Sequence, residues 1–520
     1  MKFKTGVYIT VMILLVALTL PHQLAAQNPR YKLIDLGTLG GPASILAPSP
    51  TGGPENPTKA LNNNGVVAGF SDIATPDPNC TYPISAVDCF FNHAFQWQDG
   101  VLKDIGTLQG ADSHSYSAAQ WMNDRGWIAG LSTTGGMDPF LFLPALHAVL
   151  WRNGQILDLG TLGEDFSQAF AVNNRGQVVG SSLNGQPDPF PFPIFPTPTQ
   201  NRAFLWQSGV MQDLGTLCDP DGECGLDATA FGINESGQVA GISSTNVTPN
   251  ATTSAPTTRP FLWENGKMID LGTLGGTLSG VDGSAIVLNN RGQVAGTSTL
   301  AGDMTYHPFF WDHGVMTDMG TLGGDTGFVT WLNDAGEAVG TADLPGPSGG
   351  QGHHAFLWRK GVMTDLGSLG GNSHGEGINL QGQIVGRSVP TGSPVPHAFL
   401  WGNGGSMVDL NTLIPANSPI LLEEGGNIND RGEIAGRGLP PGCLHVDVCG
   451  HAILLIPCDP AAGQDCSPVI ANAMQNDGAL SSKQTTSSSQ QRLAHPQGPA
   501  AWRTQLARRY NLLGAATPKD

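Results

Sequence analysis

The sequence predicts an all-β fold: a closed β-propeller of four-stranded blades, eight by repeat count, whose last blade is completed by both chain ends. Three observations predict it. One phrase recurs eight times, its tryptophans about 43 to 57 residues apart, which marks a repeat array. Each copy carries two hairpin signals. The chain also enters the phrase at one point and leaves it just short of that point, so the two ends together make one whole copy.

The phrase reads D-L-G-T-L, then A-x-x-I-N-x-x-G-Q-V-x-G-x-S, then H-A-F-L-W-x-x-G. Its first part runs from Asp35 to Asp409, its second from Asn62 to Asn429, and its third from Trp97 to Trp401, with His451-Ala452-Ile453 as an eighth, incomplete copy. In Phe204-Leu205-Trp206-Gln207-Ser208-Gly209-Val210-Met211 two apolar runs flank a tight turn, and Asn153-Gly154 or Asn265-Gly266 fill that turn elsewhere. Gly and Asn tolerate the positive φ such turns demand. The second hairpin turns at Ile233-Asn234-Glu235-Ser236-Gly237, where the Asn can close onto its own backbone. Ala-Phe-Leu-Trp is apolar on both strand faces, as a blade packed between two others requires. Gly180, Gly241 and Gly296 fall inside strands, which suggests close approach of a neighbouring backbone.

The divided copy chooses between ring and rod. Tyr31 leads into Asp35 without a preceding His-Ala-Phe strand, and His451 supplies that strand at the other end. A solenoid gains nothing from this division and ends in polar caps. A ring gains a clasp and loses its exposed strand edges. Seven blades with one irregular unit is the nearest alternative.

Outside the ring, residues 1–26 read as a secretory signal: Lys2 and Lys4 precede an apolar run from Val7 to Leu20, with Ala25 and Ala26 before the cleavage point. The propeller is expected over 27–457, a flexible Ser/Gln-rich linker over 458–498 and a short basic amphipathic helix over 499–514. That helix is a candidate for docking on the propeller itself or on a cell surface. The eight cysteines fall into neighbours, Cys80 with Cys89, Cys218 with Cys224, Cys443 with Cys449 and Cys458 with Cys466, which favours local disulfides in an exported chain. No transmembrane segment is expected after signal removal. The formal net charge is −18, and the body is more acidic still because basic residues concentrate in the signal and tail. An acidic body excludes nucleic acid as a partner.

The H-A-F-x-W and D-L-G-T-L phrases resemble the extracellular HAF-repeat proteins of bacteria. The resemblance spans about residues 31 to 456, with departures at Arg202-Ala203-Phe204, Arg259-Pro260-Phe261, His307-Pro308-Phe309 and His147-Ala148-Val149. It implies export and a repeat β architecture, and it transfers no activity, cofactor or catalytic residue.

Candidate sites therefore come from the chain itself. The two tight turns of each unit must lie at one end of the sheet and the longer, variable connections at the other, so one face carries the loops suited to binding. Two adjacent insertions place Phe140 and Phe142, then Phe190, Phe192 and Phe195, among prolines, an apolar patch on extended backbone. The repeated His, Asp and Asn read as structural, since Arg202 and Arg259 replace the His and Arg does not bind zinc. Cys443-x-His445-x-Asp447-x-Cys449-x-His451 would place five metal ligands on one face of a strand, although oxidation of its cysteines is the simpler reading. Asp219-Pro220-Asp221-Gly222-Glu223 offers oxygens but is short for a calcium loop. Gly371-Asn372-Ser373-His374-Gly375 matches a nucleophile elbow without its strand-to-helix context. Glu164, Asp165, His114, His374, Glu423 and Glu424 lie in scattered positions without recognisable spacing. No metal or other cofactor is expected. The functional expectation is a secreted, non-enzymatic propeller binding an extracellular protein or glycan through the loop face. The alternative is a polysaccharide-acting hydrolase or lyase with its site at the channel mouth.

Overall fold

In the first six copies the W-x-x-G segment places two successive residues at positive φ: Asp99 and Gly100, Asn153 and Gly154, and Ser208 and Gly209 show the pattern. These are the primed turns whose twist matches paired strands. The Asn turn is locked differently: Asn173 Oδ1 accepts the backbone N–H of Arg175 at 3.0 Å and of Gln177 at 3.1 Å. Two such hairpins give one blade, for example Ser167–Val172, Val178–Pro187, Thr199–Gln207 and Val210–Asp213, all antiparallel in sequence order.

Eight such sheets form the ring, seen in a computed structural model that describes residues 30–46, 58–78, 89–110, 114–138, 144–191, 197–280, 286–346, 352–402 and 404–471. The eighth blade takes three strands from the end of the chain, Leu421–Ile428, Ile434–Leu439 and His451–Cys458, and its outer strand, Arg30–Asp35, from the beginning. Register runs from Arg30 opposite Cys458 to Asp35 opposite Ile453. Tyr31 and Leu33 are fully buried there, each contributing about 1.5–3 kcal/mol of apolar burial to closure.

The third strand is buried on both faces, as expected: Ala203, Phe204, Leu205 and Trp206 are all buried, whereas the outer strand Val210–Asp213 is largely exposed. The strand glycines are explained by contact. A Cβ on Gly180 would lie 1.9 Å from the carbonyl oxygen of Gln168, and one on Gly241 2.0 Å from that of Thr229. At both places the inner strand bulges, and only glycine fits against the bulge.

Two stretches differ from the sequence reading. In the first three blades the second strand runs beyond the core, to Pro76, Met137 and Pro187, and re-pairs with the third strand across a register shift. The insertions are therefore partly hairpin extensions: beyond the shift Pro76 pairs with Phe90, Met137 with Pro144 and Pro187 with Thr199. Residues 459–471 are also no free linker. Val469 accepts from Asp35 N–H at 2.8 Å and donates to Leu33 O at 2.9 Å, so the returning chain covers the outer edge of the closing blade. The expected signal and the 499–514 helix lie outside the described residues. Among those described, no helix is long and apolar enough to cross a membrane.

Candidate functional site

The repeated polar residues form two bonded systems at opposite ends of the blades. At the tight-turn end, each Asn donates its side-chain Nδ2 to the backbone carbonyl of the equivalent Asn in the next blade. The bonds run from Asn62 through Asn123, Asn173, Asn234, Asn289, Asn333, Asn379 and Asn429, each 2.9–3.3 Å. Asn429 donates to Asn62, which closes the circle between the last repeat and the first. Toward the other end, each His or Arg of the third strand pairs with the Asp of the fourth. Representative pairs are His93–Asp104 at 2.8 Å, Arg202–Asp213 at 3.0 Å and His451–Asp35 at 2.9 Å. Arg substitutes for His because either supplies a donor. The Asp also accepts the N–H of the glycine two residues on, as Asp158 does from Gly160. Burial opposes charge on Asp104 and Asp158, but these donors outweigh it and hold both carboxyls below the usual range.

The central channel is crossed by an aromatic pair. Trp121 of the second blade stacks on Trp331 of the sixth, ring centroids 5.7 Å apart. Those blades face each other across an eight-membered ring. The sequence held this signal unread: the residue two before the repeated Asn is Trp only in copies two and six, four copies apart.

The long-connection face carries the aromatic insertions. Phe190 is 42% exposed, and Asp188 Oδ1 accepts its N–H at 2.9 Å. Phe140, Phe142, Phe192 and Phe195 lie outside the described residues. At the described ends of the insertions Asp138 and Asp188 are buried, as is Glu164. Thr199 donates its hydroxyl to Glu164, while burial and the nearby charge of Asp138 raise the Glu164 carboxyl.

Of the titratable residues outside the repeat, His374, Glu423 and Glu424 gather between blades six, seven and eight, whereas Glu164, Asp165 and His114 stay apart from them in earlier blades. His353 and His374 meet through their Nε2 atoms at 2.7 Å. Burial, with Arg387 nearby, holds His374 well below the ordinary imidazole range, and burial also lowers His353. Arg387 reaches Glu424 at 3.2 Å, Arg437 pairs with the same carboxylate, and Arg437 continues to Asp447 at 3.3 Å. Burial opposes charge on Glu424, yet the two guanidiniums outweigh it and lower its carboxyl. Burial raises the neighbouring Glu423. Arg437 and Glu424 are 4% and 7% exposed, so this network is packed inside blade interfaces. The clue was in the G-x-S position, which holds Phe70, Leu131 and Ile242 in early copies but Arg387 and Arg437 in the last two.

The remaining motifs resolve simply. Residues 446–449 form a short helix, which breaks the proposed period-two ligand face, and Cys443 is bonded to Cys449. Cys218–Cys224 and Cys458–Cys466 are also paired; Cys89 is oxidised, and its expected partner Cys80 lies outside the described residues. Asp219 turns one side-chain oxygen onto the N–H groups of Asp221 and Glu223, an Asx turn. Ser373 is buried in strand Gly370–Ile378 and donates to Gly367 O, which rules out an elbow.

No known family profile matches the chain, and no curated protein matches it. Solved structures do. The β-propeller domain of the Trilobed protease from Pyrococcus furiosus aligns over 69% of this chain and 97% of its own, at 9% identity and a TM-score of 0.39. The acylaminoacyl peptidase of Pyrococcus horikoshii aligns over 78% of this chain at 12% identity and a TM-score of 0.39, and this chain spans 59% of its length. An ulvanlyase described as a new family of polysaccharide lyase aligns over 72% of this chain and 86% of its own, at 9% identity and a TM-score of 0.31. These likenesses concern fold and carry nothing about chemistry.

Proposed function

We propose that this is a secreted, non-enzymatic propeller that captures an extracellular protein or glycan through its long-connection face. The observation that carries the reading is the division of labour between its two ends. Repeated residues bond into a closed ring at one end, while the insertions, with exposed Phe190, are confined to the other. Variable segments on a rigid frame are the usual placement of recognition. Paired cysteines suit export to an oxidising compartment. Burial of the unlike acids, histidines and arginines favours a structural use for them over catalysis. The test is a Phe190→Ser, Phe192→Ser, Phe195→Ser variant passed over immobilised neutral and acidic polysaccharides and over secreted proteins of the source culture. The reading expects wild type to be retained by one of these and the variant to lose retention with an unchanged melting temperature. Equal retention of both proteins rules the insertion out.

A second reading, a polysaccharide-acting hydrolase or lyase, rests on the His353–His374 contact beside Arg387. It requires product release from a polysaccharide that His374→Ala abolishes.

A further inference from the structure

His353 and His374 belong to different blades. His353 opens the third strand of blade six, His353–Arg359, and stands opposite Asp343 at the end of the second. His374 lies in the inner strand of blade seven, Gly370–Ile378. The two half-buried rings have centroids 4.3 Å apart, and their Nε2 atoms are separated by 2.7 Å. That is hydrogen-bond length, so one Nε2 carries the proton and the other offers its lone pair. Thr341 Oγ1 lies 3.3 Å from Nδ1 on the other side of the His374 ring. A hydroxyl donates or accepts, so it suits either tautomer.

The charges around the pair treat its two members differently. On the blade six side, Asp343 favours a proton on His353, and the adjacent His354 is already held by Asp365 at 2.9 Å. On the blade seven side, Arg387 stands opposite His374 in the strand register and opposes a proton there. Glu376 at 3.9 Å and Glu424 of blade eight at 3.2 Å offset that guanidinium only in part, since Glu424 is shared with Arg437, and Glu423 lies beyond. A first added proton therefore belongs on His353 Nδ1, where the shared bond survives. A second must take the Nε2 lone pair of His374. Two N–H groups then face each other, and two imidazolium charges lie beside Arg387.

From this geometry we infer that the histidine pair is an acid-sensitive latch across the seam between blades six and seven. While it holds, it fixes the start of the third strand of blade six at the long-connection face. Leu344 N–H donates to Gly352 O there at 3.1 Å, and His353 N–H to Asn372 Oδ1 at 3.3 Å. Once both rings are charged they repel, and that corner of the seam opens. The bonds between asparagines at the other end involve no titrating group and stay closed. Burial, then Arg387, holds His374 well below the ordinary imidazole range, and burial lowers His353 despite Asp343. Both latched values lie below the unfolded value near about 6.5. The opened form therefore binds more protons. The latch is at full strength above that pH and is lost as pH falls through it toward the latched values.

The test is hydrogen exchange of the full chain at neutral and at mildly acidic pH, corrected for intrinsic exchange rates. Segments 352–356 and 370–378 should lose about tenfold or more of their protection by about pH 5, because each pH unit of unequal proton uptake is a factor of ten. A His353→Gln, His374→Gln variant, whose amides bond each other without titrating, should change by less than about threefold there. An equal acid loss in both proteins, or no loss in wild type, would overturn the inference. Wild type labelled with carbon-13 at its histidine rings gives a reading that needs no variant. At least two of the thirteen histidine signals should remain neutral at about pH 5.5. If all thirteen are charged there, the latch does not exist.

Discussion

The two ends of the propeller are built from the same eight repeats and are used differently. At the tight-turn end every blade contributes the same asparagine, and each side chain bonds the next blade, so the bonds run unbroken around the ring. At the long-connection end the repeated element is the His–Asp or Arg–Asp pair, which joins strands within one blade and leaves the segments beyond it unconstrained. The difference teaches where a repeat protein places rigidity and where it tolerates change. A bond that crosses blades makes each copy answerable to its neighbours, whereas a bond within a blade lets the adjoining loop lengthen independently.

The contrast breaks most severely if closure is removed. Deleting 450–456 takes away the strand that joins the two chain ends, and the account expects no cooperative melting and aggregation in place of a folded ring. Full-length-like melting of that truncation would place the stability elsewhere. Next in size is the buried network of the last two blades, an exception at which unique residues do cross blades. Glu424→Ala takes from buried Arg437 its shortest carboxylate contact and from Arg387 the same partner, and should cost about 3–5 kcal/mol in denaturant unfolding. Replacing Glu424, Arg387 and Arg437 together by leucine should cost less than that single change. A triple variant weaker than the single one would show the ion network to be stabilising in its own right.

Asn289→Ala removes one ring bond, to Asn333 O, and three turn bonds, from the N–H groups of Arg291 and Gln293 and to Gln293 Oε1. At about 1 kcal/mol per bond, a loss of about 3–4 kcal/mol is expected, measurable as a shifted denaturation midpoint. A loss below about 0.5 kcal/mol would mean that the ring decorates the fold and does not hold it. The smallest effect lies at the opposite end. Glu164 has its carboxyl raised in the folded state, so its ionisation opposes folding at neutral pH; stability from this group increases as pH falls through the raised value. Glu164→Gln should therefore be neutral or stabilising by up to about 1 kcal/mol at pH 7, with the advantage gone below the unfolded carboxyl range near pH 4. Destabilisation at pH 7 would show that the charge is used.

The repeat made most of the fold legible. Turn residues, two-faced burial and the split copy each follow from local chemistry repeated eight times, and the strand glycines were correctly read as points of backbone approach. Cross-ring relations were legible only with the blade count in hand. Trp121 and Trp331 look unremarkable until four copies separate them in a ring of eight, when they become opposite. The arginines Arg387 and Arg437 were hidden because their partners, Glu424 and Asp447, come from another strand and from the short helix at 446–449, whose placement sequence does not state. At Cys443–His451 the preferred reading holds, since the two cysteines are bonded; the alternating ligand face weighed beside it is absent because residues 446–449 form a short helix.

Circular closure is tested most directly by distance. Lys32 and Ile456 sit opposite each other across the joining strands. Spin labels on cysteines introduced at those two positions should show the strong dipolar broadening of groups within about 15 Å, the spacing that adjacent strands impose on flexible labels. Absence of broadening, with the labels tens of ångströms apart, would contradict the closed ring.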